Sequence, residues 1–306
     1  MDLLGNILIS VMIAATPLVL AATGELVAER AGVLNLGVEG MMVIGALAAF
    51  AALIKTGSLV VAVLAASCAG VTMAALFGLI TLSLRANQVA AGLALTMFGL
   101  GLSALWGQGY SGLSAAPFPR LQVAGLSDLP WIGKLLFQQD ALLYLSLALV
   151  AAVAFVLERT RLGLILRAIG ENHDAAHAIG HPVIAYRYGA TLFGGALAGL
   201  GGAYLSLVQT PLWAERMTAG RGWIALALVV FAAWRPWRLL GGAYLFGAVT
   251  ILQLHSQALG IKIDAQVLSM LPYLVTVVVL VIISRDKMRV KLTAPACLGK
   301  PFHAAA

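Results

Sequence analysis

Apolar runs of membrane-spanning length recur along almost the whole chain, and this pattern restricts the fold more than any other feature. Nine segments are read, at about 6–28, 32–54, 58–83, 87–108, 140–157, 188–209, 222–234, 239–259 and 266–283. A helix rising 1.5 Å per residue needs roughly 20 apolar residues to cross a hydrocarbon core about 30 Å thick. The pattern predicts an all-α polytopic membrane protein with about eight to ten transmembrane helices, nine being the simplest count. The seventh segment is short for a span, so tilt, local bilayer thinning or a partial crossing is open there. Residues 1–284 are read as one transmembrane domain and 285–306 as a hydrophilic tail.

Composition closes the alternatives. Of 306 residues, 61% are hydrophobic and only 10% are charged, whereas a soluble chain carries about 25% charge. A water-soluble enzyme, a disordered chain and a collagen are excluded. The two cysteines, Cys68 inside an apolar run and Cys297 in the tail, provide neither a disulfide framework nor a CxxC metal site. The opening MDLLGNILIS has no basic region, so the first apolar run is expected to be retained rather than cleaved.

The net charge of +7 follows the membrane rather than a nucleic acid, because Lys and Arg sit mostly between or after spans. With nine spans and a cytoplasmic tail, the inner side holds Arg30, Arg85, Arg159, Arg161, Arg167, Arg187, Arg235, Arg238, Arg285, Lys287, Arg289, Lys291 and Lys300. The outer side holds Lys55, Arg120, Lys134, Arg216, Arg221 and Lys262. This asymmetry orients the tail and the loop 158–187 toward the cytoplasm and the N-terminus outward. In the outer loop 109–139, Pro117, Pro119 and Pro130 favour irregular backbone, and Trp131 suits an interface. In GGALAGLGGAY (194–204), Gly195 with Gly199 and Ala198 with Gly202 have the spacing of a close helix–helix contact within one subunit.

Three constellations carry chemistry. The first is GELVAERAGVLNLGVEGMM (24–42). Glu25 and Glu29 lie near the expected inner boundary, whereas Glu39 lies nine residues beyond Arg30, about 13 Å along a helix. A carboxylate at that depth costs roughly 2.5–3.5 kcal/mol on insertion scales. Gly32, Gly37 and Gly40 around Asn35 allow a broken helix, which is tolerated where protein or a wet cavity satisfies the backbone. Glu39 is therefore read in two ways: as a pathway lining or gating hinge, or as a carboxylate capping a broken helix end.

The second constellation is the loop from Glu158 to Gly180. Residues 173–179 are predicted to make two helical turns, with Asn172 as N-cap, Asp174 in the first turn and Gly180 as the stop before Pro182. Such a helix between two spans is a lever for a soluble partner, or an ordinary amphipathic interfacial loop. His173, His177 and His181 recur every four residues, as metal ligands can, but no third ligand type accompanies them. The third constellation is Gly109-Tyr110-Ser111-Gly112 with His255, a pattern shared with rhomboid-like intramembrane serine proteases. Here the span ends before Ser111, and Pro117 and Pro119 follow, which argues against catalysis. The chain has no GxxxxGK[ST] phosphate loop, so any ATP site belongs to another polypeptide.

Four ordered stretches carry a family resemblance: GVLNLGVEGMMVIGA (32–46), ANQVAAGLALTMFGLGLSA (86–104), LGLILRAIGENHDAAHAIG (162–180) and GRGWIALALVVFAAWRP (220–236). The chain resembles the permease subunits of bacterial ATP-binding-cassette importers for branched-chain amino acids, simple sugars and nucleosides. It is most similar to the nucleoside and simple-sugar branch. The resemblance implies an all-helical bundle with related halves in the bacterial inner membrane. It also implies an ATP-binding cassette subunit that holds the ATP, a second permease subunit that often differs from the first, and an extracytoplasmic solute-binding protein. No cofactor belongs to this chain, and it is expected to be non-catalytic.

The region 162–180 matches the element that couples to the ATPase, with Gly163, Gly170, Asn172, Ala175, Ala176 and Gly180 fitting its pattern. For a neutral polar solute, Asn35, Glu39, Asn87 and Gln88 are candidates for hydrogen bonding along the path. Trp223, Phe231 and Trp234 are candidates for stacking. Asn87 and Gln88 are equally explained as a helix start after Arg85. A gradient-driven secondary transporter is the alternative, with Glu39 as its only well-placed acidic coupling candidate. The final LTAPACLGKPFHAAA matches no part of the family pattern and is expected to be dispensable.

Overall fold

In a computed structural model of the chain, the residues described are 2–122, 132–258, 270, 274, 277, 278, 281 and 294–303. Among them the architecture is all-helical. The elements are α1 (Asp2–Arg30), α2 (Val38–Thr56), α3 (Leu59–Gly78), α4 (Gln88–Gly107), α5 (Ile132–Leu136), α6 (Ala141–Arg159), α7 (Arg161–Glu171), α8 (His173–Ala178), α9 (Val183–Tyr204), α10 (Arg221–Phe231) and α11 (Pro236–Ala258). Single π-helical turns, Leu79–Ser83 and Leu205–Gln209, extend α3 and α9. Among the described residues, seven helices are long and apolar enough to cross a membrane. The predicted ninth segment, 266–283, lies almost wholly outside the described residues, as do Trp131, Lys262 and the basic residues 285–291.

The helix starts follow from local chemistry. Ser58, Asn87, Asp140, Thr160 and Asn172 each accept a backbone N–H of the helix they open, satisfying donors that have no intrahelical partner. Asp140 also accepts the Tyr204 hydroxyl at 2.9 Å, tying the start of α6 to the end of α9.

α9 is the central helix, packed on α1, α2 and α3. Its glycine stripe makes this possible. A Cβ on Gly45 of α2 would sit 2.5 Å from the Gly199 carbonyl oxygen, and Gly199 also faces Ala66 and Gly70 of α3. Gly195 meets Gly70 and Ala74, and Gly202 meets Met42 and Ala46, so the small residues form a packing face within the subunit as the spacing predicted. Ala198 is buried in the same interior.

These contacts define two ends of the bundle. Arg30, Gly170 and Arg187 share the basal end; Phe50, Tyr110 and Trp213 lie toward the other. The seventh predicted segment differs from expectation. Its helix, α10, has 11 residues, about 16 Å of rise. It starts at the level of Glu39 and leads to Trp234 beside Arg30. The other half of this passage, residues 210–220, is irregular backbone that begins near Trp213 against Gly107. The chain thus runs between the two ends half as loop and half as helix.

Candidate functional site

The first break follows α1. Residues 31–37 are non-helical, so α2 opens at Val38 rather than near residue 32, and Glu39 is reached through turns and irregular backbone instead of by continuous helix. A break inside a membrane must satisfy its own backbone, and here side chains do so, three of them from α1 and α4. Gln88 Oε1 accepts the Leu34 N–H at 2.8 Å, Glu25 Oε1 accepts the Asn35 N–H at 3.0 Å, and Thr96 Oγ1 donates to the Leu36 carbonyl at 3.0 Å. Asn35 is 1% exposed and fully engaged. Its Oδ1 accepts the Gly37 N–H at 2.9 Å, and its Nδ2 reaches Met41 Sδ at 3.5 Å. Gly40 presses on the Leu95 carbonyl and on Thr96 of α4, which leaves no room there for a side chain.

Glu39, in the first turn of α2, joins the two breaks. Its Oε1 accepts from Thr218 Oγ1 at 2.6 Å and from the Gly220 N–H at 2.8 Å; its Oε2 accepts from the Gly222 N–H at 2.6 Å. Gly220 is the N-cap of α10, has φ +81° and offers no side chain of its own. One carboxylate therefore supplies the missing cap of α10 across the bundle while lying at the N-terminus of α2. Two helix N-termini with partial positive charge converge on one anion. Gly222 is required by contact: a Cβ there would lie 2.5 Å from the Glu39 backbone.

Glu25 and Glu29 are equally buried, at 1% exposure each, and differently wired. Glu29 Oε2 accepts the Trp234 indole N–H at 2.6 Å, and Arg30 donates to the Trp234 carbonyl through Nε at 3.2 Å and Nη2 at 2.9 Å. Glu25 Oε2 and Glu29 Oε1 have no hydrogen-bond partner among the described residues, nor has Gln88 Nε2.

Of the predicted path residues, the structure brings Glu39 to the start of α10 and Asn35 with Gln88 to the break after α1. It does not gather them with the aromatic set. Asn87 is exposed and caps α4 through Ala90. Trp223 is half-buried on α10, and Phe231 packs against Gly242 of α11. Trp234 is buried, in the left-handed region at φ +54°, and clipped to α1.

The predicted coupling loop is two helices rather than one. α7 precedes α8, with Thr160 accepting the Gly163 N–H at 3.2 Å. It is amphipathic, burying Gly163, Leu166, Ile169 and Gly170. Gly163 lies on the α6 backbone at Val156 and Leu157, and Gly170 lies on the Arg30 carbonyl. α8 matches its predicted N-cap: Asn172 Oδ1 accepts the Ala175 N–H at 3.0 Å. Ala176 and His173 face inward, Ala175 faces outward, and Gly180 at φ +93° ends the unit.

The three histidines serve separate contacts. His173 Nδ1 lies 3.1 Å from Arg187 Nη2, His177 stacks edge-on against Phe302, and His181 faces Tyr186. Burial and the neighbouring Arg187 guanidinium hold His173 below its ordinary titration range, with Asp174 opposing. Ser111 closes a 3₁₀ turn after α4, and His255 Nδ1 sits 3.1 Å from the Ile251 carbonyl. No hydrogen bond joins Ser111 to His255 among the described residues.

Sequence reasoning missed Thr218, Gly220 and Gly222 as partners of Glu39, and Arg187 as a buried hub. The signals were available. TAGRG (218–222) is a Gly-rich run opening an apolar helix, and Arg187 is a cation in a helix otherwise free of charge.

Comparison with known proteins identifies the family. No solved structure matches the chain. A protein of Haloferax volcanii, provisionally named a glucose ABC transporter permease protein, is 42% identical over 95% of each chain. A nucleoside ABC transporter permease protein of Lactococcus lactis subsp. cremoris is 34% identical over 90% of each chain. A guanosine ABC transporter permease protein of Bacillus subtilis is 31% identical over 91% of this chain and 92% of its own. The family model described as the branched-chain amino acid transport system permease component matches residues 7–283, and the chain, a multi-pass helical membrane protein, belongs to that family.

Proposed function

We propose that this chain is the permease subunit of an ATP-driven, binding-protein-dependent importer of nucleosides or simple sugars. The observation that carries the reading is nearly full-length similarity to permeases named for glucose, guanosine and nucleosides. The partners are an ATP-binding cassette subunit at the basal end, a second and different permease, and a solute-binding protein at the far end. The protein resides in the cell membrane with the basal end and residues 285–306 cytoplasmic. The charge asymmetry supports that orientation. ATP stays on the partner.

α8 is the contact with the ATPase. It offers Asp174, Ala175 and Ala178 outward, followed by Ile179, which is 73% exposed. An exposed apolar residue at the end of a short capped helix suits a protein partner. Gly163 and Gly170 let α7 lie flat on α6 and on the end of α1, so force on α8 has a short route into the bundle.

The solute path passes the Glu39 junction. Three hydrogen bonds to its carboxylate support the capping reading over a free coupling group. Glu39 shapes the path by fixing where α10 begins. Asn35, Asn87, Gln88, Trp223, Phe231 and Trp234 remain the proposed polar and aromatic contributors, with Trp223 the best placed because it is half-buried one residue past that junction.

The test is co-purification of the tagged chain from its native membrane, followed by uptake in vesicles. Recovery of an ATP-binding subunit and a second permease, with uptake of labelled guanosine or glucose that stops without ATP, is the expected result. Recovery of the chain alone, with uptake that persists without ATP and collapses with the ion gradient, overturns it. Ile179→Glu, which alters only the outward face, should leave assembly intact while ATP hydrolysis continues without uptake. Coupling as in wild type removes α8 from the contact.

A further inference from the structure

Residues 294–303 do not trail from the bundle. They lie along the basal end and touch every element around α8. The Cys297 N–H donates to the Gly170 carbonyl at 2.8 Å, and Cys297 Sγ lies 3.4 Å from the Glu171 carbonyl oxygen, both at the end of α7. The Gly299 N–H donates to the Gly32 carbonyl at 3.2 Å, in the break after α1. Arg187 Nη1 of α9 donates to the Lys300 carbonyl at 3.0 Å. The same guanidinium donates through Nε to the Ala31 carbonyl at 3.1 Å and faces His173 through Nη2. Phe302, 7% exposed, closes an apolar cluster with Ile169, Ala176 and Val183, drawn from α7, α8 and α9. Its ring meets those of His173 and His177, each at 5.3 Å between centroids.

This arrangement answers a mechanical problem. α8 has six residues, too few to hold a helix by themselves. It is joined to its neighbours through two non-helical joints, Asn172 at φ −151° and Gly180 at φ +93°. Such a unit would swing on its joints before it moved the bundle. Arg187 is likewise 1% exposed and has no carboxylate partner among the described residues. A buried cation needs hydrogen-bond acceptors, and two of its three partners here are the Ala31 and Lys300 carbonyls. Expected to be dispensable, this segment instead fills the gap between the joints.

We propose that residues 294–303 are a brace that fixes α8 to α1, α7 and α9, with Phe302 as its positioning residue. Motion of the ATPase at α8 then reaches the spans rather than being lost at residues 172–182. The inference rests on α8 being the ATPase contact.

The test uses the assembled transporter in vesicles and reads uptake of labelled guanosine or glucose per ATP hydrolysed. The solute is whichever the co-purified binding protein retains. Phe302→Ala should lower that ratio by about fivefold or more, the low end of coupling between sites, without lowering basal hydrolysis. Phe302→Leu, which refills the apolar cluster, should stay within about twofold of wild type.

A second measurement covers poor assembly of Phe302→Ala. In a Cys68→Ala/Cys297→Ala background, His177→Cys with Phe302→Cys should be bridged by a short bis-methanethiosulfonate reagent. The bridge should restore the uptake ratio lost in the unbridged protein. Wild-type coupling in Phe302→Ala while Ile179→Glu uncouples would overturn the brace and leave the ATPase contact standing. Wild-type coupling in both would remove the contact and the brace together. Failure of the cysteine pair to bridge in an assembled transporter also overturns the brace.

Discussion

The Glu39 junction and the basal collar around α8 both seal broken helices, and they do so with different chemistry. At the junction one carboxylate accepts three hydrogen bonds from Thr218, Gly220 and Gly222. Glu39, Thr218 and Gly222 are buried and Gly220 is part-buried, so little water is at hand to replace a lost bond. At the collar, backbone carbonyls, the Arg187 fork and the Phe302 ring do the work beside exposed residues such as Asp174, Ala175 and Ile179. Water borders the exposed residues of that end, while Arg187 is buried within it. On the proposed reading, the junction is the fixed point and the collar is where the ATPase pushes. A transporter whose drive is applied at one end needs both, a fixed point in the middle and a stiff but adjustable linkage below.

The largest test of this contrast is Glu39→Ala. It leaves three donors unpaired in the interior and should cost about 3–5 kcal/mol, read as a large drop in the thermal midpoint in detergent. Glu39→Gln keeps one acceptor oxygen but turns an amide N–H₂ toward the Gly220 or Gly222 N–H. It should lose roughly half as much. Uptake that falls in step with stability supports the cap, whereas a stable Glu39→Gln with altered uptake would return Glu39 to the solute path.

Trp234→Phe comes next. It removes the 2.6 Å bond to Glu29 and leaves both oxygens of that buried carboxylate unpartnered. A loss of about 2–3 kcal/mol is expected by the same thermal measurement. A negligible change would mean that the basal end of α10 tolerates loosening as the collar does.

At the collar the effects should be smaller. Asn172→Ala removes the α8 cap, a loss of about 1 kcal/mol. Hydrogen exchange at the Ala175 amide should rise about fivefold while the global midpoint barely moves. An equal drop in the midpoint would make α8 part of the rigid core.

The smallest effect is the pH response of His173. Its neighbours are Arg187 from α9, Asp174 on its own helix, and Lys300 and His303 from the brace. Its pKa is lowered in the fold, so the folded state binds fewer protons than the unfolded one. The associated stability is present above its ordinary value of 6.5 and is lost as pH falls through the lowered one. The midpoint should decline as pH falls from neutrality through 6.5 toward the lowered value, and His173→Gln should flatten that part of the curve. An unchanged slope in His173→Gln would assign the response to other groups.

Much of the fold was legible because lipid imposes a simple code. Apolar runs marked α1, α2, α3, α4, α6, α9 and α11, and Asn172 announced α8, because capping acts within three residues. The glycines of α9 were readable as a packing face for the same local reason. The candidate site was less legible. The partners of Glu39 lie some 180 positions further along the chain, and no periodicity links them. α7 was hidden because its turn chemistry at Thr160 lies inside a basic loop that also reads as an interfacial linker.

By itself, then, the sequence determined that the chain spans a membrane, where most spans fall, which loop is amphipathic and to which family its motifs belong. These properties depend on local composition and on the cost of placing charge in hydrocarbon. Only the tertiary structure decided that Glu39 caps α10, that residues 210–220 complete a passage α10 is too short to make, and that residues 294–303 pack against α8. Those outcomes depend on which unsatisfied backbone groups meet once the helices pack. That meeting is fixed by the close approach of α1, α2 and α3 to α9, a property of the whole bundle rather than of any one segment.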